Sequence, residues 1–243
     1  MIRGSGWAGS SSTLNYMKSN HKKSPAPLKA TAASDPDLPS ERDRPRPRVV
    51  GIGASAGGLE AFTRLLKRLP TTTGLSFVLV QHLNPDFKSA LTQILSRATA
   101  MPVCEVTNNL RVEADHVYVI PPKTSLRLAH GVLKLQSRTS SRTIDPFLES
   151  LAQDQRGRAV GVLLSGLATD GTLGLKAIKA EGGITFAQDE SAEYGSMASN
   201  AIRAGWVDFV LSPDGIAKEL TRLAKHPYAP GGLATSSNRL KKS

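Results

Sequence analysis

Between residue 48 and about residue 224, short β-branched apolar runs alternate with stretches in which apolar residues recur every three or four positions. That alternation predicts a parallel sheet with crossover helices. Val49-Val50-Gly51-Ile52-Gly53 reads as a strand; a glycine-rich turn follows, and Leu59, Phe62, Leu65, Leu66 and Leu69 mark a helix that Pro70 stops. Phe77 to Val80 is a second strand ending at Gln81-His82, and Asn84-Pro85-Asp86 opens a helix with Phe87, Leu91, Ile94 and Leu95 inward. Val103 to Val106 and Val117 to Ile120 are further strands. Alternation from Leu126 to Leu135 across His130-Gly131 predicts an antiparallel hairpin, so a mixed sheet is expected. The remaining pattern predicts a helix from Phe147 to Gln153 capped by Asp145, a strand from Ala159 to Leu164 and a helix from Gly171 to Ala180. A strand from Ile184 to Ala187, a helix from Met197 to Ala204, a strand from Trp206 to Leu211 and a helix from Pro213 to about Ala224 complete it. The fold class is α/β: a doubly wound, mostly parallel sheet with an antiparallel hairpin and helices on both faces, a Rossmann-like three-layer arrangement.

Outside this block the periodicity stops. Residues 1–47 are rich in Ser, Pro, Ala and Lys, and residues 227–243 run through Pro227, Pro230, Gly231 and Gly232 into Ser, Asn and Lys. Both are predicted to be disordered basic tails around one domain at residues 48–226. A chain of 243 residues with 40% hydrophobic and 21% charged residues suits that organisation. The net charge of +11 points toward nucleic acid only until its distribution is read. The first 48 residues hold nine Lys/Arg against four Asp/Glu, residues 225–243 hold four against none, and the part between carries only +2. Charge of this kind is solvated, and no specific nucleic-acid partner is expected. No apolar run approaches the roughly 20 residues that span a bilayer, and the first 30 residues contain no block resembling a signal sequence. The chain is therefore expected to be cytoplasmic and not membrane-embedded. The single cysteine, Cys104, excludes a disulfide framework and a cysteine metal cluster, and reads as a small buried hydrophobe.

In open α/β sheets ligands bind beyond the carboxyl ends of the strands, which directs attention to the side chains just past each one. After the first strand comes Gly53-Ala54-Ser55-Ala56-Gly57, a G-x-S-x-G sequence placed between strand and helix. Ser55 there is either a helix cap or a projecting nucleophile beside helix N–H groups suited to an oxyanion. His82 follows the second strand, where it could take a hydroxyl proton. Asp170 ends the loop Ser165-Gly166-Leu167-Ala168-Thr169-Asp170 that follows the strand at Val160 to Leu164, and could equally cap the next helix. Together, Ser, His and Asp at three strand ends on one edge are the parts of a nucleophilic triad. A dinucleotide reading of Gly51-Ile52-Gly53-Ala54-Ser55-Ala56 is disfavoured, because the second strand ends in Gln81-His82 and not in the acid a ribose needs. The order Ser, His, Asp also differs from that of α/β-hydrolases. His21, His116, His130 and His226 show no metal-ligand spacing, so neither a metal nor a cofactor is expected.

These residues resemble the catalytic domain of the chemotaxis protein-glutamate methylesterase family, CheB, over residues 48 to about 224. The resemblance rests on Gly53-Ala54-Ser55-Ala56-Gly57-Gly58, on Gln81-His82 followed by Pro85, and on Ser165-Gly166-Leu167-Ala168-Thr169-Asp170-Gly171. It implies Ser55 as nucleophile, His82 as base and Asp170 as its orienting partner, with the backbone N–H groups of Ala56 and Leu167 as oxyanion donors. It also implies hydrolysis of glutamate γ-methyl esters on methyl-accepting chemotaxis receptors, often with deamidation of glutamine there. A receptor methyltransferase or a separate receiver protein would be further partners. The classical members begin with a receiver domain, which the low-complexity first 48 residues cannot form. Ser196 and Ala198 stand where the family usually has Gly and Pro around Met197, and Arg142-Thr143-Ile144-Asp145 lacks a proline often seen there. The reading from another class is a catalytically weak interaction module that docks a signalling partner on the same scaffold.

Overall fold

The computed structural model describes residues 46–81, 90–138 and 140–225. Asn84, Pro85, Asp86 and Phe87, with which the second predicted helix opens, lie outside the described residues, as does His82.

The elements follow in the order β1 (Arg48–Ala54), α1 (Gly58–Arg68), β2 (Leu75–Gln81), α2 (Ala90–Ser96), β3 (Val103–Glu105), β4 (Leu110–Arg111), β5 (His116–Val119), β6 (Thr124–Ala129) and β7 (Val132–Ser137). Then come α3 (Ile144–Gln155), β8 (Val160–Leu163), α4 (Thr172–Ala180), β9 (Ile184–Gln188), α5 (Ser196–Arg203), β10 (Phe209–Leu211) and α6 (Pro213–Lys225). Seven strands form one sheet in the order β10-β9-β8-β1-β2-β5-β3, every neighbouring pair parallel.

Successive residues of the central strands point to opposite faces, and both faces are apolar, as a parallel sheet covered on both sides requires. Val50, Ile52, Phe77 and Leu79 pack with Phe62, Leu65 and Leu66 of α1 and Ile216 and Leu220 of α6. Val49, Val78 and Val80 join Phe147, Leu148 and Leu151 of α3 and Leu175 and Ile178 of α4 in the second core. Gly51 lets α3 lie directly on β1, since a Cβ there would come within 2.7 Å of both Leu148 and Leu151.

The hairpin stands where it was expected, but not in the main sheet. β6 and β7 pair with the unpredicted short strand β4 in a separate antiparallel sheet. The physical reason is its one-sided pattern. Leu126, Leu128 and Leu133 are buried in the second core, while Lys134, Gln136 and Ser137 are exposed, so the hairpin has one apolar face and spends it there. A strand in the doubly wound sheet needs two. Trp206 also falls before its predicted strand, which begins only at Phe209; its N–H donates to Ala201 at 3.3 Å, finishing α5. A further correction concerns Asp145, which does not cap its own helix: its Oδ1 accepts the N–H of Gly174 in α4 at 2.9 Å.

One face is held partly by charge. Arg64 and Arg68 of α1 each donate to Asp214 of α6 at 2.7 Å, and these hydrogen bonds hold the Asp214 carboxyl below its ordinary value. A depressed carboxylate contributes stability above its unfolded-state value, near ~3.9, and loses it as pH falls through the folded-state value. Because Asp214 is about a third exposed, the pair is worth no more than about 1 kcal/mol. Asp214→Asn should therefore lower urea stability by up to that amount at pH 7, and the two proteins should converge as the pH is taken below about 4.

Candidate active site

The sheet reverses its direction of winding between β1 and β8: β1 passes through α1 to its neighbour β2, while β8 passes through α4 to β9 on the other side. The two helices lie on opposite faces, so a crevice opens beyond the carboxyl ends of β1 and β8. The chain leaves β1 into Ser55 and leaves β8 into the loop that ends at Asp170.

Ser55 sits in a tight turn. Its N–H donates to the Ser165 carbonyl at 3.0 Å, its carbonyl accepts the N–H of Gly58 at 3.0 Å, and Gln81 donates from Nε2 to that carbonyl at 3.1 Å. The N-cap of α1 is Gly57, with no side-chain cap hydrogen bond, so Ser55 is not the cap that one reading made it. Gly57 holds φ at +72°, and a Cβ there would lie 2.5 Å from the Ser165 hydroxyl, so both conformation and space demand glycine. Ser55 is partly exposed to an open cleft of about 650 Å³ that it shares with Gly57, Gln81, Glu60 and Glu193.

Ser165 stitches three loops together. Its hydroxyl donates to the Ala56 carbonyl at 2.8 Å and accepts the Tyr194 N–H at 3.1 Å, while its own N–H donates to Gln188 Oε1 at 2.9 Å. Next to it, Gly166 donates to the Tyr194 carbonyl at 2.8 Å and accepts from the Met197 N–H at 3.1 Å. A Cβ on Gly166 would meet Met197 Cε at 2.6 Å and Ser55 Cβ at 3.1 Å, so this backbone passes directly against the serine. Ser196 donates its hydroxyl to the Gly166 carbonyl at 3.4 Å. Beyond, Ala168 adopts φ of +72°, strained for a residue with a Cβ, and Asn200 donates to its carbonyl at 3.0 Å. Among the described residues, the N–H groups of Ala56 and Leu167 have no acceptor.

Asp170 is 3% exposed. Its Oδ2 accepts the N–H groups of Thr143 and Ile144 at 2.8 and 3.0 Å, and its Oδ1 accepts that of Asp145 at 2.9 Å. It thus caps the N-terminus of α3, the helix packed beside α4 on the same face of the sheet. Ser55, Asp170, Ala56 and Leu167 come to one edge of the sheet; His82 adjoins the end of β2, the strand beside β1, but lies outside the described residues. His116 begins β5 and so lies at the opposite edge, and His130 occupies the hairpin turn. Among the described residues no group of three or more His, Cys, Asp or Glu could hold a metal. Cys104 is only half-buried, against the second core, and burial pushes its thiol pKa up, away from a nucleophile's range.

The residue-by-residue reading missed Gln81, Ser165, Gln188 and Tyr194 as contributors. For Gln81, Ser165 and Gln188 the signal was faint, polar residues at or just past the ends of apolar strands on the edge where the Ser55 turn lies, and Tyr194, in the loop between β9 and α5, carried none.

The model of the CheB methylesterase family matches residues 50–220. The chain belongs to the CheB methylesterase family. Among its relatives, the protein-glutamate methylesterase/protein-glutamine glutaminase 2 of Burkholderia pseudomallei is 36% identical over 206 residues, covering 82% of this chain and 59% of that protein. The corresponding protein 1 of Bordetella avium is 35% identical over 201 residues, covering 80% of this chain and 54% of its own length. The chain thus spans somewhat over half the length of these curated relatives. The crystal structure of the Thermotoga maritima CheB methylesterase catalytic domain superposes with a TM-score of 0.67 at 27% identity, covering 73% of this chain and 98% of that one. That match carries the α/β fold, including the small antiparallel sheet, over to the CheB fold class.

Ser165→Ala tests the stitching. It leaves the Ala56 carbonyl and the Tyr194 N–H without their shared partner and frees the turn that aims Ser55. Labelling of Ser55 by a fluorophosphonate, followed by mass spectrometry, should slow by about 10-fold or more while the circular dichroism spectrum is retained.

Proposed function

We propose that Ser55, His82 and Asp170 are the nucleophile, base and orienting acid of a serine esterase that hydrolyses glutamate γ-methyl esters on methyl-accepting chemotaxis receptors. The observation that carries this reading is the convergence, at the switch point of a CheB-family fold, of the Ser55 turn with the Asp170 loop beside two N–H groups free to donate to an oxyanion. In the proposed chemistry His82 takes the Ser55 proton as Oγ attacks the ester carbon, and the N–H groups of Ala56 and Leu167 receive the oxyanion. Collapse of the tetrahedral intermediate breaks the bond to the methoxy oxygen, which leaves as methanol with the proton from His82. Water then attacks the acyl-enzyme by the same route and releases the glutamate carboxylate and free Ser55. With a glutamine side chain the same steps expel ammonia, in keeping with the double name of the relatives. No step calls for a cofactor.

An exposed rim supports a protein substrate: Leu167 is 51% and Tyr194 38% exposed beside the serine turn. No helix among the described residues is long and apolar enough to cross a membrane. We assign the protein to the cytoplasm, acting on the receptor's cytoplasmic part, with a receptor methyltransferase or a separate receiver protein as further partners. Residues 48–226 form the catalytic domain in this reading, and residues 1–47 and 227–243 are basic tails that steer it.

The decisive measurement is release of methanol from receptor carrying radiolabelled methyl groups. Ser55→Ala should lower kcat on the order of 10³-fold or more, with the fold intact. Undiminished release by that variant would remove Ser55 as the nucleophile, and no release by the unaltered chain would leave the interaction-module reading in its place.

The tails generate a separate expectation. A chain cut to residues 46–226 should hydrolyse a soluble methyl-ester peptide at the rate of the full chain. On intact receptor the full chain should be faster at low salt, and the advantage should shrink as added salt shortens the screening length. Loss of peptide hydrolysis in a folded truncated chain would put a tail into the site.

A further inference from the structure

Two acidic side chains are buried at the crevice, and the chemistry proposed above uses one. Asp145, like Asp170, is 3% exposed. The two carboxylates cross: Asp170, immediately before α4, accepts the first N–H groups of α3, and Asp145, in the first turn of α3, accepts the Gly174 N–H in the first turn of α4 at 2.9 Å. Each helix start is thus capped by a carboxylate from the segment that starts the other. The close approach is built in, since a Cβ at Gly174 would lie 2.4 Å from Leu148 Cβ of α3.

The chain around Asp170 is held by hydrogen bonds to its backbone, from Asn200 to the Ala168 carbonyl at 3.0 Å, from the Thr172 N–H to the Thr169 carbonyl at 3.3 Å and from the Leu175 N–H to the Gly171 carbonyl at 2.9 Å. On one side Leu167, Ala168 and Thr169 are exposed, and on the other Gly171 takes φ of +95°. The α3 N–H groups help to fix the direction of the Asp170 side chain, and Asp145 is the second side chain that ties the starts of α3 and α4 together. Were it only a cap, an uncharged residue would serve with less cost: Asp145 places a second charge beside Asp170, with Arg142, half exposed and 3.4 Å away, as the neighbouring cation. Burial, then the charge of Asp170, push the Asp145 carboxyl up, against the N–H groups of Gly174 and Gly171 that favour its charged form.

We infer that Asp145 is a positioning residue for Asp170, acting through the α3–α4 clasp to hold the acid's carboxylate in the orientation that turnover needs. This rests on the reading of Asp170 as the acid behind the base. The full-length chain, with Asp145→Ala, Asp145→Asn, Asp170→Asn and the Asp145→Ala/Asp170→Asn pair, is assayed for kcat and KM on a methyl-ester peptide and for its thermal midpoint. Asp145→Ala should lower kcat by about 10- to 100-fold with KM within about twofold. Asp145→Asn keeps an oxygen for the Gly174 N–H and should recover most of that loss. In the Asp170→Asn background, Asp145→Ala should change kcat no further, because its effect passes through Asp170. A lower thermal midpoint with wild-type kcat, or an equal fall in kcat in both backgrounds, would overturn the inference. If Asp145→Ala does not fold, Asp145→Glu replaces it: the longer side chain displaces the anchor, kcat should fall several-fold at constant KM, and a wild-type kcat overturns the proposal. Loss in Asp170→Asn without loss at position 145 sinks this inference alone, whereas no loss in either sinks the role of Asp170 as well.

Discussion

The pairing of β1 with β8 is the joint on which the molecule depends. Residues 50–53 lie in parallel register against residues 160–163, and the Leu164 N–H extends the ladder to the Gly53 carbonyl at 2.9 Å. These strands are next to each other in space but more than a hundred residues apart in sequence, and they feed helices on opposite faces. A parallel sheet that winds both ways from one joint must leave a crevice there, because no crossover helix covers it. The turn bearing Ser55 and the loop bearing Asp170 are the two chain segments that issue from it.

Backbone polar groups then decide how rigid the crevice is. Loops beyond strand ends bury little apolar surface, so they must be ordered by hydrogen bonds, and each loop here donates to or accepts from another. Ser165 joins the loops after β1, β8 and β9, and Gly166 links the loop after β9 to the start of α5. The N-terminus of α3 takes its cap from Asp170 and not from a residue of its own. A candidate acid that is at once a helix cap is held by the fold's own demand for satisfied N–H groups, so positioning and stability share the same bonds.

The same economy shapes the cleft. Glycine at 57 and 166 is required by close approach of the serine turn to its neighbours, and the strain at Ala168 falls on the exposed stretch between Leu167 and Asp170. The proposed oxyanion donors flank these positions. Their N–H groups lie outside any helix or strand ladder, which is what leaves them available.

The amino-acid sequence determined the strands and helices of the doubly wound fold, because apolar residues at period two and near 3.6 must face a core wherever that core is. It also marked Ser55 and Asp170, since glycine-flanked reactive side chains at strand ends carry a local signature, and placed the hairpin between Leu126 and Leu135. It did not reveal that the hairpin leaves the main sheet to join β4, a two-residue strand too short to show a period. Nor did it reveal that Asp145 and Asp170 exchange helix ends. Position in a first turn points a carboxylate toward its own helix, and only the packing of α3 on α4 around Gly174 brings a stranger's N–H groups nearer. Local pattern selects the elements because it depends on neighbours in sequence; the site was decided by the tertiary structure because its hydrogen bonds join segments that only the closed sheet makes adjacent.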